Sequence, residues 1–251
     1  MGRGVNMYLS RTRHYSKPML SVDGVSYLFP GGKVILDDIS FTVGHGEKVG
    51  LIGSVGCGKS TLLYLIKNFL TPSQGKISIS GIEVNRSNKD KIRAMAGLVT
   101  QNPDDQLFSR SVYDAVAFEM IAAGKPKAEI TQKVARALGF VHLTGSERRN
   151  PFKMSGGEKK KVALAASIVN DPLLLLLDEP TAGLDAGIRS ELIELLDSMD
   201  KTMLIASHDL ELIGQLTTHT VVLAGGYIIA SGPTSEILSN HTLLLDQGLL
   251  G

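Results

Sequence analysis

A chain of 251 residues, 43% hydrophobic and 20% charged, has enough apolar material to bury one large core, or a core and a subdomain. Its formal net charge of +1 gives no electrostatic case for a nucleic-acid partner, and its single cysteine excludes an internal disulfide and fits a reducing cytosolic setting. No apolar run approaches the length that crosses a bilayer, so work at a membrane requires docking to an embedded protein.

Residues 1–18 carry Arg3, Arg11, Arg13 and Lys17 without an acidic residue or apolar block, and read as a basic, disordered extension. A secretory signal lacks its hydrophobic region here, and a myristoylation start fails at Asn6. The folded domain is expected over residues 19–240, with a short tail over 241–251. Segments 20–27, 35–43 and 76–79 read as an antiparallel front portion, with turns at Pro30-Gly31-Gly32 and at residues 44–46. Residues 48–52 form a strand and 61–69 a helix. Segments 97–100, 173–178 and 202–206 are the expected central parallel strands. Between residues 102 and 170 the pattern turns helical, at 112–123, 127–138 and 158–169, as an insert between core strands. Segments 221–223 and 227–230 flank Ala224-Gly225-Gly226 as a hairpin.

The run Gly53-Ser54-Val55-Gly56-Cys57-Gly58-Lys59-Ser60-Thr61 satisfies G-x-x-x-x-G-K-[ST] between a strand and a helix. Its glycines let backbone N–H groups curl around phosphates, and the helix N-terminus adds partial positive charge. Lys59 is expected on the β- and γ-phosphates and Ser60 on Mg²⁺. The strand that ends in Asp178-Glu179 supplies a second Mg²⁺ ligand in Asp178 and, in Glu179, a base for the attacking water. Cys57, beside Lys59 and a helix N-terminus, is expected to favour thiolate.

Further motifs follow. Met154-Ser155-Gly156-Gly157-Glu158 resembles the signature of ATP-binding-cassette (ABC) proteins, Thr181-Ala182-Gly183-Leu184-Asp185 their D-loop, Ser207-His208-Asp209 their switch-histidine loop, and Gln101 their Q-loop. The resemblance runs from about residue 19 to 239. It implies an α/β P-loop NTPase fold: a RecA-like parallel sheet core, an antiparallel β subdomain and a helical subdomain. It also implies ATP hydrolysis with Mg²⁺ as cofactor. In that family two cassettes pair head to tail, so Ser155, Gly156, Gly157, Glu158 and Asp185 would serve a nucleotide held by a neighbour. His208 would contact the γ-phosphate and the water, and Gln101 would sense water and Mg²⁺. Phe29 best matches the aromatic that stacks on adenine, with Tyr27 as the alternative.

Residues 101–108 and 112–118 look like the energy-coupling-factor and cobalt/nickel importer ATPases. That branch implies a transmembrane transporter subunit and a substrate-binding membrane component as partners, a homodimer or a pairing with a paralogue, and a peripheral place on the cytoplasmic membrane face. Leu107 and Phe108 are candidate docking knobs, or alternatively core of the helical insert. Lys159-Lys160-Lys161 reads as a solvated helix face. The competing function is a soluble ABC ATPase acting on DNA or the ribosome, which usually carries a coiled-coil insertion or second cassette that this length does not hold.

Overall fold

The computed structural model describes residues 17–250, so the basic extension lies almost wholly outside the described residues. In chain order the strands are β1 (Leu20–Leu28), β2 (Val34–Val43), β3 (Lys48–Ile52), β4 (Gln74–Ile79), β5 (Ile82–Glu83), β6 (Ala96–Val99), β7 (Leu174–Asp178), β8 (Thr202–Ala206), β9 (His219–Ala224) and β10 (Tyr227–Pro233). One sheet has the order β2-β1-β4-β5 and is antiparallel. The other has the order β10-β9-β3-β8-β7-β6, parallel throughout except for β10.

The central strands are buried on both faces, which is why they read as unbroken apolar runs rather than alternating ones. Successive residues still point to opposite sides. Leu174, Leu176 and Leu204 enter a core shared with the antiparallel sheet and with α1 (Lys59–Ile66). Leu175, Leu177, Met203 and Ile205 enter a second core, shared with the helices on the far side. Those helices include α3 (Val112–Ala122), α4 (Lys127–Phe140) and α5 (Gly156–Ile168), all between β6 and β7. A short α2 (Lys89–Met95) precedes β6. Past β7 come α6 (Ala186–Ser198), α7 (Leu210–Leu216), α8 (Thr234–Ser239) and α9 (His241–Asp246).

Helix limits differ from the sequence pattern where a local device intervenes. α1 stops at Ile66 because Asn68 takes a left-handed φ of 60°, which no helix continues. α5 starts at Gly156 because Ser155 caps it. The topology has one consequence for function. Because β3, β8, β7 and β6 run parallel side by side, the segments after them gather at one edge of the sheet.

Candidate functional site

Residues 53–58 leave the C-terminal end of β3 and run into α1. Gly53 approaches a neighbouring backbone so closely that an added Cβ would lie 2.1 Å from the Leu223 carbonyl oxygen. Gly58 takes φ +109°, and a Cβ there would fall 2.6 Å from Leu36 Cδ2. Val55 is exposed at the crown of the loop, flanked by the half-buried Ser54 and the exposed Gly56. The Lys59 side chain curls back into the loop, its Nζ donating to the carbonyls of Gly53 at 2.6 Å and Ser54 at 3.2 Å. It also lies 4.0 Å from Glu179 Oε1. Thr61 continues the helix on its half-buried side. Cys57 departs from expectation. Its thiol is buried beneath the loop, and burial raises its pKa by more than the nearby Lys59 lowers it, so the neutral thiol is favoured.

Asp178 ends β7 almost fully buried. Burial raises its carboxyl pKa, opposed by a hydrogen bond to Ser60, and its Oδ1 has no hydrogen-bond partner. A buried oxygen left unpaired is costly unless a ligand completes it. Ser60 and Asp178 together offer the hard oxygen donors that Mg²⁺ takes. Among the described residues there is no cluster of three or more His, Cys, Asp or Glu that could hold a metal ion.

Glu179, one residue on, is held very differently. Its backbone sits at φ +45°, a conformation that costs a non-glycine residue about 1 kcal/mol. Its N–H donates to the Ala206 carbonyl at 2.8 Å. Its carboxylate accepts from Ser207 Oγ at 2.9 Å and from the His208 N–H at 3.1 Å, and lies 2.8 Å from His208 Nδ1. The His208 ring remains more than half exposed. Asp209 then caps α7 and is gripped by Arg189 of α6 and by the Thr181 hydroxyl. Gln101 is exposed just past β6. Gln106 shapes the turn it leads, accepting from Thr100 N and donating to the Leu98 carbonyl at 2.6 Å.

The signature turn is a self-contained cap. Ser155 Oγ accepts from Glu158 N at 3.2 Å while the Glu158 carboxylate accepts from Ser155 N at 3.0 Å. Arg149 completes that carboxylate at 2.7 Å and, with Ser155 N, holds it below the usual carboxylate range. Glu158 thus serves its own helix. Ser155 and Gly156 are exposed, whereas Gly157 is buried under Ile188, whose Cδ1 would lie 2.6 Å from an added Cβ. Asp185 is exposed and caps α6.

Of the two aromatic candidates, Phe29 is 46% exposed while Tyr27, edge-on to it, is buried in the core and has no face to offer a base. Leu107 is fully buried in the core of the insert and is no docking knob. Phe108 is exposed and packs edge-on with Phe118 at 5.0 Å, near the equally exposed Ile121 on α3. The three lysines do not form a solvated face. Lys159 pairs with Asp104, Lys161 with Glu191, and Lys160 is buried. Sequence reasoning missed that Ser207 holds the Glu179 carboxylate, that Lys160 is buried, and that Arg189 pairs with Asp209. Lys160 had a signal: Gly157, Lys160 and Leu164 fall at helical spacing on one buried stripe.

Residues 36–182 match the family model for ABC transporters. The chain is 40% identical to an energy-coupling factor transporter ATP-binding protein of Methanothermobacter thermautotrophicus, over 90% of this chain and 74% of that one. It is 36% identical to a cobalt import ATP-binding protein of Rhodobacter capsulatus, over 92% of this chain and 85% of that one. Among solved structures it resembles CbiO1 of Clostridium perfringens, described as part of the ABC transporter complex CbiONQ. The TM-score is 0.79 at 32% identity, covering 92% of this chain and 95% of that one.

Proposed function

The chain belongs to the ABC transporter family as its ATP-binding, ATP-hydrolysing subunit, and from that premise we propose that it drives an energy-coupling-factor-type importer of a metal ion such as cobalt or nickel, or of a vitamin. The observation that carries the reading is a contrast within one sheet edge. Lys59, Ser60, Asp178, Glu179 and His208 converge there, while Ser155 and Gly156 stand exposed at the first turn of α5, where N–H groups have no helical partner.

In this reading the N–H groups of residues 53–61 cradle the triphosphate and Lys59 trades two loop carbonyls for its β- and γ-oxygens. Ser60, Asp178 and Gln101 would hold Mg²⁺, which would neutralise phosphate charge when bound. Glu179, aimed by Ser207 and His208, accepts the proton of the attacking water, and His208 reaches the γ-phosphate. Phe29 stacks on adenine. Ser155, Gly156 and Gly157 close the site of a neighbouring cassette, a second copy or a paralogue, with Asp185 at the seam. Glu158 contributes through its cap. Closure and reopening of the pair move helices of a transmembrane subunit, itself joined to a substrate-binding membrane component. In this reading the exposed Phe108, Phe118 and Ile121 offer an apolar contact for that docking, and the chain sits peripherally on the cytoplasmic membrane face. No described helix is long and apolar enough to cross a membrane.

Replacing Glu179 with Gln tests the catalytic assignment. ATP affinity is expected within about twofold of wild type while turnover falls by about 10²-fold or more, the range for a removed general base. Undiminished phosphate release would refute it.

A further inference from the structure

Lys160 is a cation in an unexpected place. It lies early in α5, is 4% exposed, and forms no ion pair with a carboxylate among the described residues. Its neighbours on one side are apolar: Val99, Leu164, Leu177, Leu192 and Leu196 line a cavity of about 10 Å³ against its stem. A leucine or methionine would fill this position at less desolvation cost, so the ammonium has to be explained by what it touches. It touches two main-chain carbonyls, that of Gln101 at 2.5 Å and that of Glu179 at 3.1 Å. Those residues lead the segments after β6 and β7. They are also the two whose side chains are proposed to handle the water.

The Glu179 contact bears on a strained residue. A left-handed glutamate persists only where its surroundings over-determine it. Here the N–H is fixed by Ala206, the side chain by Ser207 and His208, and the carbonyl by Lys160 and by the Ala182 N–H at 3.2 Å. Lys159, the preceding residue, pins the same 101–105 loop through Asp104 at 2.7 Å. The start of the signature helix is thus tied directly to both water-handling segments of its own chain.

We propose that Lys160 is a positioning residue: its ammonium sets the backbone of Gln101 and Glu179 from the signature helix, so that both side chains are aimed when that helix is seated. The inference rests on the roles proposed above for Glu179 and Gln101. It makes the signature helix a presenter to a neighbouring cassette at its first turn and an organiser of its own site one turn later.

The test compares Lys160→Met, which keeps the stem and removes the donors, with Lys160→Gln, whose NH₂ group can donate to two carbonyls. Steady-state ATP hydrolysis by the full chain is read beside equilibrium binding of a fluorescent ATP analogue and thermal melting. Lys160→Met is expected to lower kcat by about tenfold with KM and analogue affinity within about twofold, as for an interaction needed only in the reacting state. Lys160→Gln should recover most of that loss. Introduced into Glu179→Gln, Lys160→Met should add no further loss, since the two act as a unit. Wild-type kcat in Lys160→Met, equal losses in Met and Gln, a matching fall in nucleotide affinity, or a full additional tenfold loss in the double variant would each overturn the proposal. If Glu179→Gln alone keeps wild-type turnover, the functional reading fails and takes this inference with it. If Glu179→Gln loses turnover and Lys160→Met does not, this inference alone fails.

Discussion

The phosphate-loop edge and the signature turn are both built from glycines and a helix N-terminus, yet the structure treats them in opposite ways. At the first, charge is buried and incompletely met: Lys59 is folded onto its own loop and Asp178 Oδ1 has no partner. At the second, Ser155 and Glu158 meet each other's needs three residues apart, and Ser155 and Gly156 face solvent. The first is a pocket that a charged ligand completes. The second is a surface whose use lies outside its own chain. A reciprocal cap of this kind is held within its own chain, and it leaves Ser155 and Gly156 exposed.

The sharpest way to probe the first region is Asp178→Asn. Its carboxyl pKa is raised by burial, so the charged form is disfavoured by folding at every pH above the native value, and the effect vanishes only below the unfolded one. The neutral amide should therefore raise the melting temperature of the nucleotide-free chain at pH 7–8 while lowering turnover by about 10²-fold. A melting temperature that falls in the variant would contradict this account of the site. The second region is probed by Gly157→Ala, which forces a methyl into Ile188 and should cost about 1–3 kcal/mol of stability. Pairing it with Ile188→Ala should remove most of that cost. A plain additive sum in the melts would show that the contact is not tight.

The smallest effect belongs to the link between the two regions. Burial pulls the Asp209 carboxyl up, but hydrogen bonds from Arg189, Leu212 N and Thr181 outweigh it and leave its pKa lowered from 3.8. A lowered native value contributes stability above the unfolded pKa, lost as pH falls through the native one. Arg189→Gln should thus cost about 1 kcal/mol near neutrality, with the gap to wild type closing as pH falls below about 3.8. Urea unfolding at pH 7 and pH 3 would reveal a gap independent of pH if the pair is not the cause.

Much of this was legible in the residues. Strands buried on both faces announce themselves as apolar runs, and β3 and β8 fall where the pattern puts them. The phosphate loop needs no tertiary information because its glycines and lysine act within a few residues of each other. What stayed hidden depends on packing at a distance. Whether Cys57 is a thiolate turns on the balance of burial against Lys59, which composition does not give. Three consecutive lysines look like a wet face until α6 and the 101–105 loop close over them. The helices α6 and α7 were passed over although Asp185 and Asp209 are ordinary N-caps ahead of Leu192, Leu196 and Leu212. Tyr27 lies within β1 and packs into the core, whereas Phe29 follows the end of the strand and stands half exposed, a difference set by where the strand stops.

The claim beneath all of this is that a triphosphate bound at one chain's loop is closed by another chain's Ser155. Mixing two inactive variants, Glu179→Gln and Ser155→Arg, before nucleotide is added measures it directly. In a mixed pair, one site joins an intact Glu179 to an intact signature, so random pairing should restore hydrolysis to about a quarter of wild type. A mixture as inactive as either variant alone would contradict the account.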